Sequence, residues 1–478
     1  MFKVLSEEEF ARRSARSGRV AVFKEFLADR ETPVAALSRL GTDEDAFLLE
    51  SVSGGETRGR YSYLGFEPCG KIEGADALDR IRESFAALHY EPAPELPPMQ
   101  GGAIGFIAYD AAGVFEPKTA GRAEPSLPPM SFLLCDAFLV FDNVRDTVTA
   151  VVMADPGSHP TPAAAYKAAM KRIDGMERRM LSAESIAELA AARPRTRLPF
   201  AERFEPEMTR EEFAGIVAKC KEAIKAGEVI QIVPSQKFTA KTSIDDLSLY
   251  RALRTVNPSP YNFFMRMGGR TLIGSSPEEL VKLSGRTAST APIAGTRPRG
   301  ATAAEDAALE RELKADEKEN AEHVMLVDLG RNDLGRVCEA GSVAVESFAR
   351  VERYSHVMHL VSTVKGTLRE GADATDLARA AFPAGTLTGA PKVRAMQLLS
   401  RLEKSPRGIY GGAAGYFSFT GDMDLAIVIR TMVLERGLLT MRSGAGIVAD
   451  SDPDKEYEET INKAKAAFRA VEVAKELK

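Results

Sequence analysis

Two pairs of glutamates carry the first chemical signal. Glu319 and Glu322 lie in KENAEHVMLVDLGRND, and Glu456 and Glu459 in DKEYEETINKA. Three-residue spacing puts both carboxylates of a pair on one helical face. Two such faces meeting across a cavity offer oxygen ligands for Mg²⁺, which takes a few carboxylates and completes its shell with water and substrate oxygens. Solvated helix faces are the competing reading, but the apolar run MLVDLG after Glu322 suggests one buried side, where a carboxylate needs a partner. In STAPIAGTRPRG, residues 289–300, glycine, threonine and two arginines surround Ala294. That composition suits an anion, with a bare methyl where a reactive side chain could stand. SGAGIVADS and IYGGAAGYFS let backbone approach a ligand and donate N–H groups, although tight strand packing explains the same residues. GTLTGAPK, residues 385–392, lacks the spacing of a nucleotide phosphate loop. His356 and His359 stand in RYSHVMHLVSTVKG among apolar neighbours, and spacing does not choose between them.

These residues need elements to hold them. The first ~150 residues read as short apolar strands broken by glycine, with a few helices. Turn chemistry, an alanine-rich charged helix and the proline-broken ARPRTRLPFAERFEPEM follow. We therefore expect domains over 1–155 and 205–478, joined by a connecting segment over 156–204. The second opens at Thr209, which forms a capping-box pattern with Glu212 ahead of a helix ending near Gly227. A long helix is expected over roughly 303–330, and Asp452-Pro453 announces a last one. The mixed order of elements predicts an α+β architecture with antiparallel sheets.

Bulk properties narrow the classes. With 478 residues, 44% hydrophobic and 27% charged, the chain is long enough for two cores. Net charge is −5, and no basic face for nucleic acid is visible. No run approaches the ~18 apolar residues of a membrane span, and MFKVLSEEEF lacks a signal pattern. The four cysteines share no metal-ligand spacing, which fits a reduced, cytoplasmic enzyme.

The segments GEVIQIVPSQKF, NPSPYNFF, IGSSPEEL, PIAGTRPRG, EHVMLVDLGRNDLGRV, SHVMHLVSTVKG, FPAGTLTGAPKVRAM, YGGAAGYFS, IRTMV and GAGIVADSDPDKEYEET, in this order, resemble those of the chorismate-utilising enzymes. Within these, the chain is most similar to the anthranilate synthase component I family. The resemblance runs along essentially the whole chain and is densest from about 205 to 465. It implies two intertwined domains with large antiparallel β-sheets flanked by helices. Members differ in the nucleophile that attacks chorismate. Aminodeoxychorismate synthases place a lysine nucleophile where this chain has Ala294, and isochorismate and salicylate synthases place a water-activating lysine where it has Gln231. With neither lysine, ammonia is the implied nucleophile and anthranilate the product. Aminodeoxychorismate-type amination and a non-catalytic relative binding chorismate or tryptophan stay open as alternatives.

The resemblance also implies roles. Glu322 and Glu459 would ligate Mg²⁺, supported by Glu319 and Glu456. Gly295, Thr296, Tyr410, Arg430, Gly444, Ala445 and Gly446 would bind the substrate carboxylates and enolpyruvyl arm. Glu278 would be the general acid for the departing hydroxyl. His359 rather than His356 would assist pyruvate loss, Thr386 would hydrogen-bond the ring region, and Lys392 would add positive charge nearby. Glu50, Ser51, Pro260, Tyr261 and Asn262 match a feedback site for tryptophan between the domains. Asn262 departs from an otherwise apolar position, so tryptophan is expected to inhibit more weakly than it would in Asn262→Met. No nucleophile-elbow cysteine with a downstream histidine is present. A glutamine amidotransferase subunit is thus implied as the ammonia donor.

Overall fold

The structure, a computed structural model, describes residues 2–41, 45–51, 59–182, 204–354 and 357–477. Two large antiparallel sheets dominate it. The first, eleven-stranded, has one edge built from the N-terminal strands Val20–Leu27, Thr147–Ala154, Ala137–Asp142, Tyr61–Phe66 and Ala46–Glu50. It continues directly into Tyr261–Met267, Arg270–Ser276, Thr431–Glu435, Leu438–Gly444, Ser235–Lys241 and Glu205–Pro206. The junction pairs Asn262 with Glu50 and Phe263 with Leu49. In the second, ten-stranded sheet, Ala413–Ser418 pairs with Gly102–Ile107. Early and late strands therefore share both sheets, which makes the halves intertwined and the class α+β.

Near-continuous burial of strands such as Gly102–Ile107 and Ala137–Asp142 reflects sheets covered on both faces. One apolar core joins residues from the two halves, among them Phe47, Phe138, Phe264 and Met432. Helix Pro162–Leu181 lies in the stretch expected to connect the domains, and its buried stripe of Ala165, Ala169, Ile173 and Met176 joins this core. Residues 183–203 of that stretch lie outside the described residues.

Local signals hold where a side chain caps a helix. Thr209 and Glu212 close a reciprocal capping box on helix Arg210–Lys225. Asp452 caps helix Pro453–Glu476, with proline in the first turn. The single helix expected over 303–330 is instead two, Ala303–Ala315 and Glu317–Gly335. Asp316 adopts an extended conformation between them and accepts from the N–H groups of Lys318 and Glu319, starting the second helix afresh. That break aims the face bearing Glu319 and Glu322. No described helix is long and apolar enough to cross a membrane.

Candidate active site

Helix Glu317–Gly335 brings Glu319 and Glu322 to strand Ile293–Pro298 and to the short strand Gln231–Ile232. Gln231 Nε2 donates to Glu322 Oε1 at 3.1 Å. Arg297 spans the helix break, pairing Asp316 at 2.7 Å and Glu319 at 3.4 Å. Burial and the neighbouring Glu322 charge push the Glu319 carboxyl up, with Arg297 opposing. Helix Pro453–Glu476 supplies the other pair. Burial, with Glu459 nearby, raises Glu456, and its Oε2 is buried with no hydrogen-bond partner among the described residues.

Lys463, one turn beyond Glu459, was not singled out by sequence. Its Nζ lies 2.6 Å from Glu459 and donates to the carbonyl of Gly444 at 3.1 Å. Its charge also acts on Glu278. Burial pushes the Glu278 carboxyl up to about 7, against Lys463 and a 2.9 Å hydrogen bond from the Thr386 hydroxyl to Oε1. Thr386 thus holds the acid rather than standing alone.

Gly444 and Gly446 leave no room for side chains. A Cβ on Gly444 would lie 2.6 Å from the Pro234 carbonyl and 2.9 Å from the Tyr410 hydroxyl; one on Gly446 would lie 2.8 Å from Gln231 Nε2. Ala445 spends its N–H on the Pro234 carbonyl, so that group is not a donor for an anion. Burial raises the pKa of the Tyr410 hydroxyl, keeping it a neutral donor.

His359 lies on strand Val357–Thr367 opposite Thr296, across an irregularity at Gly295. Gly295 has φ +64°, and a Cβ there would meet Leu313 at 2.9 Å and Glu319 at 3.3 Å, so only glycine fits. His359 Nδ1 is 3.0 Å from both the Gly295 carbonyl and the Thr296 hydroxyl. A carbonyl only accepts, so Nδ1 carries the proton and Nε2 keeps its lone pair. Burial first, then the nearby Arg430 charge, lowers the imidazole pKa, so it is neutral at pH 7. Burial likewise lowers that of Arg430. The catalytic, substrate and metal candidates thus form one connected cluster. His356 lies outside the described residues.

Lys392 does not join it. Its ammonium is buried between the Asp333 carboxylate at 2.8 Å and the Ala381 carbonyl at 3.2 Å, so its charge is already spent.

A second cavity, of about 350 Å³, lies where the halves meet, and Glu50, Ser51, Pro260, Tyr261 and Asn262 all line it. Neighbouring residues hold the Asn262 side chain. Its amide donates to the Ser259 carbonyl at 2.7 Å and accepts from the Ser275 hydroxyl at 2.7 Å, and the residue is 1% exposed. It shares a sheet face with its partner Glu50, whose carboxylate is held by Tyr250 and Arg254 of helix Asp246–Val256. The amide is therefore hydrogen-bonded within the protein. Tyr261, on the other face, reaches Glu279 at 3.1 Å.

Residues 44–469 match the family model for chorismate binding enzyme. The chain is 48% identical to anthranilate synthase component 1 of Streptomyces coelicolor, covering 95% of this chain and 89% of that one. Against the protein of that name from Pseudomonas aeruginosa it is 41% identical over 99% of each. Among solved structures, anthranilate synthase component I from Streptococcus pneumoniae superposes with TM-score 0.74 at 37% identity, covering 86% of this chain and 92% of that one. A menaquinone-specific isochorismate synthase from Escherichia coli shares the fold, with TM-score 0.72 at 19% identity over 97% of this chain and all of that one.

Proposed function

The chain belongs to the chorismate binding enzymes, and from that premise we propose that it is the large subunit of an anthranilate synthase. It converts chorismate and ammonia to anthranilate and pyruvate, the first committed step of tryptophan biosynthesis. The observation that carries this reading is the pair Gln231 and Ala294. The neutral amide of Gln231 contacts Glu322, and the Ala294 methyl is buried in strand Ile293–Pro298. Neither activates water or attacks the ring, so the nucleophile arrives from outside.

In this reading the Arg430 guanidinium pairs a substrate carboxylate, and Tyr410 and Thr296 complete that contact. Glu278, protonated up to about pH 7, donates its proton to the departing hydroxyl. His359 Nε2 accepts a proton as pyruvate leaves. Mg²⁺ fits the two glutamate pairs. Burial and the Glu459 charge raise the Glu456 carboxyl, and its Oε2 has no partner among the described residues, so this pair has capacity for a cation. Among those residues no three acidic, histidine or cysteine side chains cluster tightly enough to cage an ion. Mg²⁺ takes few protein ligands and completes its shell with water and substrate oxygens. Glu322 and Glu459 would hold it, and when bound it would supply charge that fixes a ring carboxylate.

All four thiols are unpaired, and burial raises the pKa of each, Cys220 to about 12. None is poised as a glutaminase nucleophile. This supports a separate glutamine amidotransferase partner and a reducing, cytoplasmic setting. The test is to incubate the isolated chain with chorismate, Mg²⁺ and either ammonium at mildly alkaline pH or glutamine. Product fluorescence and mass should identify anthranilate with ammonium and none with glutamine. An aminodeoxychorismate product, or anthranilate from glutamine alone, would refute the reading.

A further inference from the structure

Arg430 links strands Met423–Ile427 and Thr431–Glu435 with φ +48°, a strained left-handed conformation for a residue with a side chain. Among the described residues it forms no ion pair. Its Nη1 donates to Oδ1 of Asn257, 3.0 Å away and 173 residues earlier, where helix Asp246–Val256 ends. The Asn257 amide in turn donates from Nδ2 to the Ser275 carbonyl at 3.1 Å and to the Ser259 hydroxyl at 3.2 Å. A carbonyl only accepts and a guanidinium only donates, so a single orientation of this amide satisfies both neighbours. The Ser275 N–H closes the circuit by donating to the Arg430 carbonyl at 3.3 Å. Three bonds thus run in a ring from the Asn257 side chain to the Ser275 backbone, to the Arg430 backbone, and from the Arg430 guanidinium back to Asn257.

We infer that Asn257 is the positioning residue for Arg430, aiming its guanidinium at the substrate carboxylate while leaving its charge unspent. The inference rests on the reading of Arg430 as the carboxylate-binding group. Asn257 touches no reacting atom. Its ring of bonds holds the strained backbone and the long side chain together, which lowers the ordering cost of binding. Its neutrality matters as much as its reach. Aspartate would accept from the same nitrogen but would pair the guanidinium permanently, competing with the substrate. Alanine would leave the arginine unaimed and the Ser275 carbonyl without its donor.

The test is calorimetric titration with chorismate in the presence of Mg²⁺, omitting ammonium and glutamine so that no turnover occurs. Asn257→Ala should weaken binding about tenfold, the effect of losing one hydrogen bond to a charged group. Asn257→Asp should weaken it at least as much despite its nearly identical shape, which a purely steric role would not produce. In an Arg430→Ala background, Asn257→Ala should add no further loss, because the group it aims is gone. Thermal unfolding of each variant checks folding, and Asn257→Ser, which keeps a small polar group in the turn, replaces the alanine if that form is unfolded. The same loss in both backgrounds, or unchanged affinity in both Asn257→Ala and Asn257→Asp, overturns the inference alone. A parent chain that fails to bind chorismate overturns the reading of the site and this inference with it.

Discussion

Glu278 is where one side chain's environment most directly sets its chemistry. Burial raises its carboxyl to about 7, with Lys463 and the Thr386 hydroxyl pulling the other way. Below that pH the acid keeps its proton and can donate it; above, the donor is lost. His359, lowered by burial and by Arg430, must be neutral to accept a proton, so activity should rise as pH climbs through its ionisation. kcat/KM reports the free enzyme, so at constant free ammonia it should fall off again near pH 7. Glu278→Gln should remove that descending limb and cost about a hundredfold or more in kcat. The same substitution should affect stability with a definite sign. A carboxyl raised on folding carries no penalty below the ordinary carboxyl range. The penalty grows as pH rises toward about 7 and is complete above it. Glutamine removes it, so the variant should unfold at higher temperature than the parent at pH 8, by roughly 1–3 kcal/mol, and not at pH 4. A parental pH profile in Glu278→Gln would assign the proton donor elsewhere.

The elements differ in how far local sequence could reveal them. Caps were legible because a side chain and its backbone partner lie three residues apart, as at Thr209 and Asp452. The break at Asp316 was not. Helix Ala303–Ala315 buries only Asp306 and Leu313, so its apolar period is too weak to show where it stops. The glutamate pairs were visible from spacing, but the contacts of Arg297 and Asn257, and of Lys463 with Gly444, cross the fold and no local pattern carries them. Strand Tyr261–Met267 shows what such a reading misses at one residue. The resemblance made Asn262 a polar intrusion into an effector site, and in the strand its amide turns to Ser259 and Ser275. Asn262→Met should therefore leave the buried Ser259 carbonyl without its side-chain donor, while the Ser275 hydroxyl keeps the Asn257 carbonyl. It should destabilise the protein by about 1–3 kcal/mol and weaken inhibition by tryptophan rather than strengthen it. Thermal unfolding and inhibition curves check both; tighter inhibition in a fully stable variant would show that the side chain faces the occupant after all.

At the scale of the whole molecule, the shared sheets put the cavity lined by Glu50 and Asn262 and the candidate site on the same strands. Ile293 lines the cavity, and two residues along the strand the Gly295 carbonyl meets His359. Glu279 lines the cavity, and its neighbour is Glu278. Val361 lines it too, on the strand that carries His359. An occupant that shifts any of these three strands by a few tenths of an ångström moves a candidate catalytic group, because packed strands slide as units. We propose, from the resemblance, that the occupant is tryptophan, bound among Tyr63, Tyr261 and Tyr416. Coupling between two sites is a single free energy, so it must act equally in both directions. Saturating tryptophan should weaken chorismate binding by about tenfold, and saturating chorismate should weaken tryptophan binding by the same factor. Paired calorimetric titrations without ammonium measure both. Tryptophan that binds without changing chorismate affinity would leave the cavity a binding site uncoupled from catalysis. Complete exclusion of either ligand by the other, with no ternary complex at any concentration, would mean that tryptophan occupies the chorismate site itself.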